Sequence, residues 1–563
     1  MKRRFLPILG AALLLATACG STSPTQTATA THPDAVTVDM TSDVGSIDPS
    51  QFCCVLQEDV EQETFATLTT YKPGTETVEP YLATYSPNSN DTKFTFTIRK
   101  GAVFADGTPI TASDVAASLN RFTSCEPTGV PTSYGPYFSM IQGYKQWAAE
   151  CKKGLPPKGV TGLSGIHVLG QNKLEIDLSS PTPYFLEMLT LPATGVLPAS
   201  SFGPAPDYNL STHYPEASGP YEFKSYSANG QIVLVRNPKW WGARYGLGNA
   251  TIKRLTFVQN VASQLALERF QRLDGSNDFF ITENPVDSAS YLTIKSTPAL
   301  KKLYHNFPEN GLEYLKFNAT QFPFNTKDAK LLREAVNLAV NRSQIEKTIS
   351  NGRAQVANQI IPPSIPGYNA SLKPYPYDVQ KARSLVKEWK AANGVTGAIP
   401  IRYFYLLDTQ DHINLADDIQ TDLNAIGFNV TLKGYKGGSF FSYEEDPHNP
   451  WQVAWTAWYQ DYPDAQDFVG LLNSANDNAV DVGNYTNTAF DSLTDAANAT
   501  ADQATRVSDY QRAEASVYND YGFVPLFYYW NDGLVAPFFT PKNPRYFLPP
   551  VMETEWQYIS VSK

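Results

Sequence analysis

Six histidines and five cysteines are few for a chain of 563 residues, and no two cysteines are spaced C-x-x-C. That scarcity argues against a zinc or redox centre, and no metal or other cofactor is expected. Beyond the first four residues basic clusters are also missing, and the formal net charge is −11. Nucleic acid is therefore a poor partner. No G-x-x-x-x-G-K-[ST] loop is present to cradle a nucleotide, and no G-x-S-x-G elbow to expose a nucleophilic serine. The longest apolar run, Phe5 to Ala18, falls short of the roughly 20 residues that span a bilayer.

That run has another reading. Lys2, Arg3 and Arg4 form a basic start, and Ala16-Thr17-Ala18 precedes Cys19. Together they read as a cleaved export signal, with Cys19 in the place of a lipobox cysteine whose thiol is acylated; Ala16 stands where leucine is commoner. An ordinary signal peptide with a leftover cysteine is the plainer alternative. Residues 19–33, rich in Ser, Thr and Ala, would tether the folded part to the outer face of the membrane. Without the three basic residues of the signal, the net charge is near −14. Such acidity suits a cationic solute, although solubility alone explains it equally.

An exported chain can oxidise its cysteines. Cys125 and Cys151 flank a loop-like stretch rich in Gly, Pro and Tyr and are the favoured disulfide. Cys53 and Cys54 are adjacent, where a direct bridge is strained, so cross-pairing and free thiols stay open.

What the chain has in abundance is apolar and aromatic surface, 42% and 13% of residues, enough for two or three cores. Phe94, Phe96 and Ile98 alternate as in a half-buried strand, and Asp106 to Pro109 is a turn. Thr111 and Asp114 have capping-box spacing before Val115, Leu119 and Phe122 on one helical face. Ile232 to Val235 is a short buried strand, 325–349 is helical in its spacing, and Asn414 to Gly427 is an amphipathic helix feeding the strand Phe428 to Leu432. Alternating helices and strands indicate an α/β chain.

Near the end, Trp458-Tyr459-Gln460-Asp461-Tyr462-Pro463-Asp464 gathers aromatics, a rigid turn and two carboxylates. Taken alone it reads as a ligand clamp. Asp461 would pair with a ligand cation, or else cap a turn; Trp458 would be a flat wall, or simply core. Asp464 and Asp467 read as turn and helix-start carboxylates, since the glycine and terminal glutamate of an EF-hand are absent. An enzyme reading, with Asp461 and Asp464 as a glycosidase pair, fails because neighbours on one turn cannot flank a scissile bond.

Several stretches together carry a family resemblance. Val103 to Val115 resembles the "vkFsDGtPvTAeDV" signature of the family 5 extracellular solute-binding proteins, which include oligopeptide- and dipeptide-binding lipoproteins. Ile47-Asp48-Pro49, Val78 to Ala83, Ser218 to Tyr221, Arg236 to Trp241, Arg333 to Val340, Tyr377 to Ala382 and Trp458 to Asp464 resemble further family motifs in the same order. The resemblance implies a bilobed periplasmic-binding-protein-like fold with a hinge and a ligand cleft between lobes. Lobe I is expected from 34–70, 208–311 and 533–563, an additional domain from 71–207 and lobe II from 312–532, with hinges near Gly311 and Gly533.

It further implies that Asp461 holds a peptide ammonium, with Trp458, Tyr459 and Tyr462 nearby. The segment containing Cys53 and Val55 would supply a strand edge to the ligand backbone, or its cysteines would simply be core; Tyr134, with Tyr137 and Phe138, would cover the ligand or pack on its own lobe. Asp411 to Asn414 lacks the arginine that dipeptide-binding relatives place there for the ligand carboxylate, which weakens a strict dipeptide reading and leaves longer peptides or a different solute. The implied protein is a monomeric, non-enzymatic lipoprotein that passes its ligand to an ABC permease with a separate ATPase. A glycan- or glycolipid-binding envelope protein, or a carrier of a sugar or metal chelate, is the alternative.

Overall fold

Phe94, Phe96 and Ile98 do lie on the buried side of a strand, Lys93–Ile98. In the computed structural model it belongs to a four-stranded antiparallel sheet, in the order Ala83–Pro87, Lys93–Ile98, Lys173–Asp177, Ile166–Gly170. The structure describes residues 34–41, 43–51, 55–123, 134–151, 162–201, 214–228, 230–272, 278–280, 286–444, 446, 448–474, 483–551 and 553–561. Cys19, Cys53 and Cys125 lie outside the described residues. Cys151 ends the helix Tyr144–Cys151, and the predicted bridge to Cys125 falls outside what is described.

The turn after this strand forms as its residues dictate. Asp106 Oδ1 accepts from both the backbone N and the hydroxyl of Thr108 at 2.7 Å. The helix Ala112–Phe122 then opens with a complete capping box, Asp114 N donating to Thr111 Oγ1 at 3.4 Å and Thr111 N to Asp114 Oδ2 at 2.8 Å. In its last turn Arg121 grips both oxygens of Asp48, at 2.7 and 2.6 Å, and the hydroxyl of Ser50. The Ile47-Asp48-Pro49 motif is thus pinned by a fork-to-carboxylate pair.

A five-stranded sheet forms the other part of the first lobe, ordered Asp278–Phe280, Ala35–Asp39, Arg254–Val258, Gln231–Arg236, Tyr221–Ser225. Its first three strands are parallel and the rest antiparallel. Two motifs lock together at its edge. Asn237 Nδ2 donates to Gly219 O at 2.9 Å and the buried Trp241 Nε1 to Ser218 O at 3.1 Å, while Ser218 Oγ donates to Val196 O at 2.7 Å and accepts from Ala66 N at 2.9 Å. Gly219 has to be glycine here, because a Cβ would lie 2.8 Å from Glu63 O.

The second lobe is built on six strands, ordered Gln355–Val356, Val524–Leu534, Tyr304–Phe317, Val453–Tyr459, Ile399–Leu406, Phe428–Tyr435. The two longest, Tyr304–Phe317 and Val524–Leu534, pair antiparallel and run between the lobes. Leu534 packs in the first-lobe core and Leu315 and Val524 in that of the second. Their register slips between Pro308 and Leu312, at the crossing. Gly311 sits there opposite Tyr459, and a Cβ would lie 2.7 Å from Trp458 O and 2.8 Å from the Tyr529 ring. Close packing requires this glycine. Gly533 lies at the other end of the pair, opposite His305.

Two predicted helices have different bounds. The segment 325–349 is broken: Ala329–Ala339 ends at an extended Val340, and Asn341 caps a new turn by accepting from Gln344 N at 3.2 Å. An asparagine amid Ala and Leu competes for backbone bonds and works as a cap. The helix predicted from Asn414 begins at Gln410, because Thr409 Oγ1 accepts from His412 N at 3.1 Å. Leu415, Ile419 and Leu423 are buried as expected, and Gly427 turns the chain at φ +106° into Phe428–Tyr435.

Candidate functional site

The strand Val453–Tyr459 carries the clamp sequence to the lobe boundary, its last three residues only half-buried. Gln460 prolongs the pairing, donating its N–H to Asn310 O at 2.8 Å. Its side-chain amide donates to Pro550 O of the first lobe, while Asn310 Nδ2 donates to Gln460 Oε1 at 2.9 Å and to Glu76 Oε1 at 2.8 Å. The clamp is therefore fixed from both lobes at its base.

Asp461 follows. Its N–H donates to Asp467 Oδ2 at 2.9 Å, and Trp458 Nε1 reaches the same oxygen at 3.3 Å. Asp461 Oδ1 accepts from the Tyr134 hydroxyl at 3.2 Å, and Oδ2 is sealed from solvent without a hydrogen-bond partner. Burial pushes Asp461 up to about 7, against the opposing pull of the Tyr134 hydrogen bond. Asp467 is pushed well above the carboxylate range, by burial first and then by Asp461. A cation brought to Oδ2 would meet a carboxylate poised to ionise, with no internal competitor.

Asp464 does begin a helix, Ala465–Val469, accepting from Gln466 N at 2.9 Å. It also pairs with the buried Arg506 at 2.7 Å. Asp467 lies in the first turn of the same helix, yet its carboxylate turns back to brace Trp458 and Asp461, a role its spacing did not suggest.

The aromatics divide by position. Tyr459 stacks on Tyr529 with centroids 4.1 Å apart and planes 13° from parallel. Tyr462 is fully buried, its ring parallel to Tyr184 at 5.9 Å and packed with the first-lobe core. Tyr134 stacks on Tyr137 at 4.9 Å, and a crevice of about 410 Å³ opens along the seam between Tyr137, Tyr184, Tyr462 and Asp467. A recess of about 500 Å³ around Asp106 and Thr108 has only first-lobe residues in its lining and does not include Asp461. The site thus joins Trp458, Asp461 and Tyr134; Tyr459 lies beside the crossing strands, Val55 opens the helix Val55–Thr64, and Cys53 is not described.

The stretch without arginine, Asp411 to Asn414, is the first turn of a helix, and Asp411 Oδ2 accepts from Ser288 N of the opposite lobe at 3.0 Å. His412 is buried against Trp455 and pushed down to about 4 by desolvation. An arginine does approach from elsewhere, Arg353, but it is committed to Asp532 at 2.6 Å and Val286 O at 2.7 Å.

Sequence reading missed the acidic wall opposite Asp461. Glu58, on the helix Val55–Thr64, is pushed up to about 8 by burial, then by the charges of Asp461 and Asp59. Its sequence signal was an acid-rich run, Gln57 to Glu63, which ordinarily marks a solvated helix face.

The family model for bacterial extracellular solute-binding proteins, family 5, matches residues 77–479. The chain is 27% identical over 515 residues to the periplasmic oligopeptide-binding protein OppA of Salmonella typhimurium, covering 89% of each. It is 25% identical over 498 residues to heme-binding protein A of Haemophilus influenzae, covering 86% of this chain and 84% of that one. The crystal structure of Haemophilus influenzae OppA in complex with RPPGFSPFR superposes with a TM-score of 0.77 at 19% identity, covering 94% of this chain and 99% of the other. With the motifs in order, the bilobed fold and the family model spanning most of its length, this chain belongs to the family 5 bacterial extracellular solute-binding proteins.

Proposed function

We propose that this protein captures oligopeptides between its lobes by their free amino terminus and delivers them to a membrane permease driven by a separate ATPase. The observation that carries this reading is Asp461: a sealed, unpartnered carboxylate oxygen between the lobes, on a residue held by Asp467 and Tyr134, with Trp458 bonded to the same Asp467 oxygen. An α-ammonium removed from water needs such a partner, because an unpaired buried charge is costly. Relatives named for oligopeptide binding, matched over 89% of their length, favour a peptide over other solutes. Main-chain hydrogen bonding would supply sequence-independent affinity, and Trp458 and Tyr134 would flank the first residues.

The division into 34–70 with 208–311 and 533–563, 71–207, and 312–532 is supported by the three larger sheets: the five-stranded sheet falls in the first part, the four-stranded in the second, and the six-stranded mostly in the third. Closure about the crossing strands would follow from ligand binding the closed form more tightly. Acylation of Cys19 would hold the protein at the outer face of the membrane. The work is capture without turnover.

Native mass spectrometry of the mature protein from Ser21 onward, purified without denaturation, tests this. Co-purified peptides of a narrow length range are the expected result. A glycolipid, sugar or haem in their place would overturn it.

A further inference from the structure

The helix Val55–Thr64 carries Glu58, Asp59, Glu61 and Glu63 within six positions. They are not a solvated face: Asp59, Glu61 and Glu63 are 1%, 0% and 0% exposed. Two of them have partners in the fold. Glu61 accepts from Gln57 Nε2, one turn back on the same helix, at 2.7 Å, and Glu63 docks the helix by accepting from Trp556 N at 2.7 Å. Neighbouring Gln62 donates to Thr554 O at 3.0 Å, completing a seam with the C-terminal segment.

Glu58 and Asp59 have no such duty. Both carboxylate oxygens of Asp59 are sealed from solvent without a hydrogen-bond partner, and among the described residues no lysine or arginine pairs with either acid. Glu553, half-buried in the C-terminal segment, is held above the carboxylate range by burial and then by the charges of Asp59 and Glu58, so the three share one electrostatic neighbourhood. From the opposite lobe Asp461 repels Glu58 in the same way and brings its own sealed oxygen. Carboxylates buried together without cations are costly to ionise, and apolar side chains would fill position 59 without that cost. Their presence beside the amine site makes physical sense as ligands for positive charge that the chain itself does not provide.

Resting on the peptide reading above, we propose that Glu58, Asp59 and Glu553 form a second cation subsite, which takes the ammonium or guanidinium of a basic side chain of the bound peptide. The preferred ligand then carries at least two positive charges, one on Asp461 and one on this wall. A lysine reaches it through a flexible stem with three donors, an arginine with a planar fork of five.

The test is calorimetric titration with tetra-alanine and with tetra-alanines carrying lysine, or the uncharged norleucine, at each position in turn. Lysine at one or more positions is expected to bind at least about tenfold more tightly than norleucine there, with the excess shrinking as salt is raised. Glu58→Gln and Glu553→Gln should each reduce that lysine-to-norleucine affinity ratio, which is read within each variant and so is independent of any change in tetra-alanine affinity. Equal affinity for lysine and norleucine peptides in the unmodified protein overturns the subsite and leaves the peptide reading standing. So does an excess that survives both substitutions in proteins with unchanged unfolding midpoints. Absence of binding by every peptide would instead remove the peptide reading itself.

Discussion

The hydroxyl of Tyr134 and the carboxylate of Asp461, 327 positions apart in the chain, meet at 3.2 Å across the boundary between the lobes. Tyr134 packs with the first-lobe core, and Asp461 follows a strand of the central sheet of the second, so their bond ties the two lobes together.

Asp461→Ala should cost a free-amine peptide about 3–5 kcal/mol of binding, the scale for removing one partner of a buried ion pair. An N-acetylated peptide should lose a comparable amount on the unmodified protein. Calorimetry on the four combinations gives the coupling directly, and equal affinity for both peptides would take Asp461 out of the amine-anchoring role.

Binding should rise with pH and then fall. Without ligand Asp461 titrates near 7, so below that pH a proton must leave before the ammonium can pair, and affinity drops as pH falls. Above about 8 the peptide amine loses its own proton. A maximum between pH 7 and 8 is expected. The Tyr134 hydrogen bond favours the ionised carboxylate, so Tyr134→Phe should move the acid limb to higher pH. A flat profile from pH 5.5 to 7.5 would contradict the assignment.

Ligand-free stability should be greater at pH 5.5 than at pH 8.5. Glu58, Glu309, Glu514 and Glu555 are each raised by burial from 4.5 to about 8 in the fold. The folded state therefore holds more protons than the unfolded one across that window, and stability falls as pH rises through it. His412, depressed from 6.5 to about 4, acts in the opposite sense, losing its contribution as pH drops through that range. Scanning calorimetry across pH 4 to 9 should show an optimum at mildly acidic pH; an optimum above 8 would refute it.

Gly311→Ala should destabilise the protein by about 1–3 kcal/mol, the usual cost of overpacking. The added methyl would press on Trp458 O, a backbone atom that cannot swing aside, and on the Tyr529 ring. An unchanged midpoint in chemical denaturation would show that the crossing strands yield there.

The elements legible in the sequence were those decided by near neighbours. The Thr111 and Asp114 capping box, the Asp106 to Thr108 turn and the alternating strand at Phe94 to Ile98 each depend on residues within a few positions. The break at Asn341 was also local, but it was obscured by the good helical spacing on either side. At the site, Asp461 stood out because aromatics and proline surround it in the chain itself. Tyr184, Arg506 and the bracing of Trp458 by Asp467 could not be read, since their partners arrive from other segments.

By itself, then, the sequence determined the α/β alternation, the family through its ordered motifs, and the clamp as the place to look. Tertiary structure alone decided that Asp59 lies inside and Glu58 is half-buried rather than on a wet helix face, and that Tyr134 answers Asp461. The reason is electrostatic: the energy of a carboxylate depends on the water, charges and donors around it, and distant segments supply or remove all three only once the chain has folded.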